Sequence, residues 1–253
     1  MARGAVKKQS KRQPLHHRDD DLIVERYDRT PVKRSTTPIV PLNETQKRYL
    51  NAMRSFILTF ATGSAGTGKT WLCAAYAAQL LDEGVIDKII ITRPAVEAGE
   101  SLGFLPGELE EKFDPYLQPF REVLEERLGK SYVSYLIKVG KIEAAPLAYM
   151  RGRTFKNAFV ILDEGQNTTP TQMKMFLTRI GHDCRVVVNG DTAQKDVHGK
   201  SGLEDAVERL SFIPSIKHIN FSHADIVRSG IVQEIVTAYD NPLTDTQPRR
   251  RHG

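Results

Sequence analysis

A glycine-rich loop that must join a buried strand to a helix leaves a chain few ways to fold. Residues 63–70, Gly-Ser-Ala-Gly-Thr-Gly-Lys-Thr, form such a loop. They follow the apolar run Phe56-Ile57-Leu58-Thr59-Phe60-Ala61 and precede the helix-prone Trp71-Leu72-Cys73-Ala74-Ala75-Tyr76-Ala77-Ala78. Strand, glycine loop and helix in this order describe a phosphate-binding P-loop. Gly63, Gly66 and Gly68 let the backbone of Gly63, Ser64, Ala65, Gly66, Thr67 and Gly68 curl so that its N–H groups face phosphates, and the helix N-terminus adds partial positive charge. Lys69 is then placed to reach the β- and γ-phosphates and Thr70 to hold Mg²⁺, so the expected ligands are a nucleoside triphosphate, ATP, and Mg²⁺.

Short, nearly continuous apolar runs recur at 56–61, 88–92, 158–162, 185–188 and 216–219, separated by helical segments. Strands of this kind are buried on both faces of a parallel sheet, which predicts an α/β fold with helices on each side. Asn43 is an N-cap candidate for a helix over residues 43–53. The connection from about 96 to 146 exceeds a plain crossover and carries charged helical stretches at 122–130 and 132–139, so it is expected to be a helical insertion at the edge of the domain. With 253 residues and 40% hydrophobic content, the simplest division is one domain at 42–241. Flanking it are a basic arm at 1–41 and a basic tail at 242–253, both too poor in apolar periodicity to fold alone.

The net charge of +5 favours a polyanionic partner, though the basic ends serve solubility equally well. Cys73 and Cys184 have no metal-ligand or disulfide spacing, which suits a reducing cytosol. No run approaches the roughly 18 apolar residues of a membrane span, and no membrane partner is expected.

The chemistry is concentrated in two further segments. Ala158-Phe159-Val160-Ile161-Leu162 is an apolar strand ending in Asp163-Glu164. Asp163 is expected to join the Mg²⁺ shell and Glu164 to polarise the attacking water, because in-line attack on phosphorus depends on positioning and charge neutralisation. The strand at 185–189 runs into Gly190-Asp191-Thr192-Ala193-Gln194, where the neutral amide of Gln194 can bond the γ-phosphate and respond to its loss. Gln46 carries an amide able to donate to and accept from an adenine edge. An acidic water-positioning residue favours a hydrolase over a small-molecule kinase.

Together, Leu42-Asn43-Glu44-Thr45-Gln46, the P-loop, Ile91-Thr92-Arg93-Pro94, Gly103-Phe104-Leu105-Pro106-Gly107, Asp163-Glu164-Gly165-Gln166-Asn167, Gly190-Asp191-Thr192-Ala193-Gln194 and Asp225-Ile226-Val227-Arg228 resemble the PhoH family of phosphate-starvation-type ATPases. The similarity covers about residues 42–240. It implies one RecA-like motor domain related to superfamily 1 helicases, ATP hydrolysis and a link to RNA. Gln46 would then contact adenine, Lys69 and Thr70 the phosphates and Mg²⁺, Asp163 and Glu164 the metal and water, and Gln194 the γ-phosphate. Two departures, Gly165 where the family usually has alanine and Ser229 where histidine is common, mark a divergent member. The arm is too short for the PIN nuclease domain of some relatives, so this chain is not expected to cut RNA by itself.

The resemblance makes Arg228 an arginine-finger candidate, the alternative being a surface ion pair with Asp225. Superfamily 1 motors close ATP between two RecA-like domains. One such domain therefore implies that a second copy supplies the other wall, giving a homo-oligomer such as a six-membered ring. Arg93, Tyr149, Arg151 and Arg153 lie where related motors hold single-stranded nucleic acid, and Tyr149 offers a stacking face. The arginines at 151 and 153 suit a neighbouring ATP site equally. Two functions follow: an RNA-stimulated ATPase or oligomeric RNA helicase of the cytosol of a bacterium or phage-infected cell, or a nucleotide-switched module that loads or releases a partner such as a ribonuclease.

Overall fold

The computed structural model describes residues 37–94 and 109–227. Six strands, β1 (Leu58–Thr62), β2 (Lys88–Arg93), β3 (Ile142–Pro146), β4 (Ala158–Leu162), β5 (Arg185–Gly190) and β6 (Ile216–Asn220), form one sheet in the order β3-β2-β4-β5-β1-β6. Every pairing in it is parallel.

The sequence dictates this arrangement through the alternation of side chains across the pleat. Along β4, Phe159 and Ile161 enter one apolar cluster while Ala158, Val160 and Leu162 enter the other. In the same way β5 sends Val187 to the first cluster and Val186 and Val188 to the second. Both faces are dry, so neither tolerates a polar alternation, and helices must cover each side.

The first face is covered by α1 (Glu44–Ser55), α2 (Lys69–Asp82), α3 (Leu109–Leu128) and α4 (Lys130–Lys138), which contribute Tyr49, Ala75, Phe120 and Leu136 to its core. The second is covered by α5 (Pro170–Leu177) and α6 (Gly202–Leu210), through Phe176 and Leu203. Asn43 caps α1 as expected, its side chain accepting from Gln46 N–H at 2.8 Å, a contact of about 1 kcal/mol. Thr169 and Ser201 close capping boxes on α5 and α6. Residues 37–42 approach α1 as a non-helical segment whose Ile39 is buried, and Arg127 of α3 donates to Thr37 O at 2.7 Å.

The α/β architecture with helices on both faces is the one expected. The insertion differs in one respect: besides α3 and α4 it contains β3, an edge strand read from sequence as part of a helical segment. Ile142-Glu143-Ala144-Ala145-Pro146 has no continuous apolar run, Glu143 and Ala144 being only partly buried, and Pro146 is tolerated there because it ends an edge strand paired only to β2. Arg228, the run 103–107, the helix expected over 231–239 and most of both basic ends lie outside the described residues.

The decisive consequence of strand order is that β5 lies between β1 and β4. Parallel strands deliver their following loops to one edge of the sheet, so the loops after β1, β4 and β5 converge there.

Candidate nucleotide site

The loop after β1 is glycine-rich because side chains do not fit. Gly63 has φ +128°, and a Cβ there would stand 2.1 Å from Phe221 O. Gly68, at φ +84°, caps α2 in the left-handed region, and a Cβ there would meet Gln46 Nε2 at 2.8 Å. Only glycine meets both demands. The Lys69 ammonium sits inside the loop, donating to Gly63 O at 2.6 Å, Ser64 O at 2.8 Å and Thr67 Oγ1 at 3.1 Å. Burial lowers its pKa, and Asp191, Asp163 and Glu164 oppose that shift.

Asp163 follows β4 and is nearly buried, its N–H donating to Thr92 O at 2.9 Å. Desolvation raises its pKa to about 6, against the pull of Arg93 and with a further push from Glu164. Glu164 is held at φ 54°, ψ 38°, a left-handed conformation that a non-glycine residue adopts at a cost of order 1–3 kcal/mol. That turn aims its carboxylate into a cavity of about 260 Å³ lined by Lys69, Thr70, Asp163, Glu164, Asp191 and Gln194 among others. Ala65, Gly66, Thr67 and Gly68 complete the loop wall, while Gly63 and Ser64 hold Lys69 from beneath.

Three placements were not visible in the sequence. Arg93, at the end of β2, spans both carboxylates, with Nη2 2.9 Å from Glu164 Oε1 and Nε 3.4 Å from Asp163 Oδ2. Gln166 is fully buried and ties the two loops together: its Nε2 donates to Glu164 Oε2 at 2.6 Å and Gln194 O at 3.3 Å, while its Oε1 accepts from Asp191 N–H at 3.0 Å. Its only sequence signal is a polar amide two residues beyond the carboxylate pair. Gly165 is explained by packing, since a Cβ there would lie 2.8 Å from Val188 Cγ1 and 3.1 Å from Asn189 O.

Gln46 is 3% exposed, its Oε1 accepting from Leu42 N–H at 2.8 Å and its Nε2 donating to Thr67 O at 3.0 Å. Tyr149 lies in a short 3-10 turn after β3 and is 49% exposed, with Arg151 exposed beside it. This turn follows the end of β3, which pairs with Arg93 through Pro146. Arg153 departs from that group. It makes a two-pronged ion pair with Glu143, which Lys88 at the start of β2 also approaches at 3.6 Å. Five residue steps along the strand separate Lys88 from Arg93, about 16 Å.

The oxygen donors Thr70 and Asp163 suit a hard divalent cation. Among the described residues no group of three or more His, Cys, Asp or Glu could hold a metal unaided. Mg²⁺ is commonly held by one or two protein oxygens and completed by substrate phosphates and water. Among the described residues no helix is long and apolar enough to cross a membrane.

Residues 38–240 match the family model described as PhoH-like protein. The chain is 51% identical over 210 residues to Protein PhoH of Escherichia coli K12, covering 81% of this chain and 59% of that protein. It is 53% identical over 197 residues to the PhoH-like protein of Bacillus subtilis 168, covering 77% and 62%. The chain thus spans about three-fifths of the length of these relatives. Among solved structures, the HK97 bacteriophage large terminase shares the fold at a TM-score of 0.50 and 14% identity, over 82% of this chain and 49% of that one.

Proposed function

The chain belongs to the PhoH-like protein family, and from that premise we propose that it is a Mg²⁺-dependent ATPase whose turnover is stimulated by single-stranded RNA. The observation that carries the proposal is the single cavity onto which Lys69, Thr70, Asp163, Glu164 and Gln194 open together. Those groups come from three separate loops, and a parallel sheet with β5 inserted between β1 and β4 brings them to one edge.

In this reading the loop N–H groups and Lys69 hold the triphosphate, and Lys69 exchanges its carbonyl partners for phosphate oxygens as charge develops. Thr70 and Asp163 would hold Mg²⁺, which screens the β- and γ-phosphate charge when bound. Glu164 orients the attacking water and takes its proton. Gln194 offers its amide to the γ-phosphate, and Gln166 transmits any movement of that loop to Glu164. Arg228 remains the proposed arginine finger, and a neighbouring copy in a homo-oligomer such as a six-membered ring supplies the second wall of the site. The domain is proposed to span 42–241 between basic segments, in a cytosolic setting.

The test is phosphate release from ATP by the purified chain with and without single-stranded RNA. Stimulation by RNA, lost when Arg151 is replaced by Glu, is the expected outcome. Turnover indifferent to RNA at every concentration would remove RNA from the proposal.

One pairing in the site bears on how RNA would stimulate turnover. Arg93 spans both carboxylates, so it competes with water for Glu164 and with a divalent cation for Asp163. A polyanion that draws the guanidinium away would free both groups. Arg93→Ala is therefore expected to raise RNA-independent turnover several-fold and to shrink the stimulation by RNA. Basal turnover that falls with Arg93→Ala would instead give this arginine a direct role in hydrolysis.

A further inference from the structure

Between the sheet and its first two helices runs a line of buried polar groups that the nucleotide reading does not use. Tyr49 of α1, Cys73 of α2 and Asn189 at the end of β5 are each 1% exposed or less. The Tyr49 hydroxyl donates to Asn189 Oδ1 at 2.8 Å, Asn189 Nδ2 donates to Cys73 Sγ at 3.3 Å, and the Cys73 thiol donates to Thr70 O at 3.3 Å. Polar groups this deep in an apolar core are unfavourable unless satisfied, so three joined in line call for a reason beyond packing.

The line runs one way only. Cys73 gives its single hydrogen to Thr70 O, so its sulfur can only accept from Asn189, and the amide end facing it must be the NH₂. The amide oxygen is thereby turned to Tyr49, whose hydroxyl donates to it. An NH₂ carries two hydrogens, and Cys73 takes one. Among the described residues the other has no acceptor, although Asn189 is buried and lines the phosphate cavity of about 260 Å³.

The register of the sheet identifies the neighbour of that hydrogen. Leu162 is level with Val188 across β4 and β5, so the next step along both places Asp163 beside Asn189, with the strands about 4.8 Å apart. By alternation both side chains fall on the face of Ile161 and Val187, the face that α1 and α2 cover. Asp163 and Thr70, the two proposed holders of Mg²⁺, thus flank the amide. One stands beside it across the sheet, and the other ends its hydrogen-bond line. Arg93 Nε stands 3.4 Å from Asp163 Oδ2. A cation at Asp163 repels that guanidinium, and the carboxylate then needs a neutral donor to fix its orientation.

We propose that Asn189 is a positioning residue of the cation site: its second N–H, aimed by Tyr49 and Cys73, donates to the Asp163 carboxylate and holds it for a divalent cation. The inference rests on the nucleotide reading of the cavity. A neutral amide suits the task, because it steadies a carboxylate without adding a positive charge that would compete with the metal. Outer-shell partners of this kind are worth about 10–100-fold in metal affinity.

The test follows binding and needs no turnover. A non-hydrolysable ATP analogue is titrated calorimetrically into the wild-type chain, Asn189→Ala and Tyr49→Phe, first in EDTA and then over a series of Mg²⁺ concentrations. Wild type is expected to bind in EDTA and to bind more tightly as Mg²⁺ is added. Asn189→Ala should keep its EDTA affinity within about twofold and require about tenfold or more Mg²⁺ to reach half of the gain. Tyr49→Phe deletes one oxygen and leaves the amide free to turn, so a shift of about 2–10-fold in the same direction is expected. In the double variant the Tyr49 change should add nothing, because no amide is left to aim. A merely structural role would lower affinity in EDTA and in Mg²⁺ alike, and a direct phosphate contact would lower it in EDTA; either result overturns the inference. So does a Mg²⁺ requirement unchanged in Asn189→Ala or, if that variant does not fold, unchanged in Tyr49→Phe. Wild-type protein that binds the analogue neither in EDTA nor in Mg²⁺ would instead bring down the nucleotide reading, and this inference with it.

Discussion

Glu164→Gln is expected to lower phosphate release by about 10²–10⁴-fold while ATP affinity changes less than about threefold, the range for loss of a positioned general base. The separation between the two quantities is the substance of the prediction. The substitution keeps the side-chain volume, and the amide oxygen can still accept from Gln166 Nε2, the shortest contact Glu164 makes. Arg93 retains Asp163 as a partner, so the guanidinium is not left without a carboxylate. What is lost is the ability to take a proton from water. Single-turnover phosphate release beside equilibrium ATP binding measures both. A parallel loss of affinity would show that the carboxylate supports the site's structure, and unchanged hydrolysis would assign the water to another residue.

Much of the frame behind that prediction was legible from local rules. The five strands expected from apolar runs are present; β1, β2, β4 and β5 were readable because a strand buried on both faces must be largely apolar, whereas β6 is an edge strand with exposed Lys217 and His218. Asn43 was readable as a cap because its polar side chain stands just before an amphipathic repeat. β3 was hidden for the converse reason, since an edge strand carrying Glu143 has neither an apolar run nor an alternation that period-based reasoning can detect.

The candidate site divides along the same line. Residues that must face a phosphate are contiguous or follow apolar strands, and their spacing reveals them. Partnerships between loops distant in sequence leave no such mark. Arg93 and Glu164 are separated by 71 positions, and only the adjacency of β2 and β4 brings them together. Residue type made Arg93 a phosphate-seeking cation, and nothing in the chain indicated that two carboxylates would claim it. Gln166 shows the same limit, because its role is set by the convergence of the β4 and β5 loops. Arg153 resembled its neighbour Arg151 in sequence, yet the turn at Gly152, with φ +78°, precedes its pairing with Glu143.

Lys69→Ala should produce the second large effect, and it can be read without measuring catalysis. Removing one preorganised donor aimed at developing charge costs about 10²–10³-fold in rate, and ATP affinity is expected to fall by a similar factor here. Wild-type protein at a ligand concentration of 100 times Kd gains about 2.7 kcal/mol of stability by mass action. For a chain of this size that corresponds to a rise in Tm of about 5–10 °C. At the same ATP concentration the variant should rise by less than about 2 °C, because its site is at most about half filled. The substitution also removes the donor shared by Gly63 O, Ser64 O and Thr67 Oγ1, so the ligand-free variant should itself lose about 1–2 kcal/mol. Offsetting that loss, a buried ammonium with a lowered pKa no longer has to be desolvated, which sets the low end of the range. Thermal unfolding of both proteins with and without ATP separates the two effects: one shifts the ligand-free Tm, the other abolishes its response to ligand. A variant that kept the full ATP-induced rise would mean that the backbone N–H groups alone hold the phosphates, and Lys69 would then be a strut of the loop.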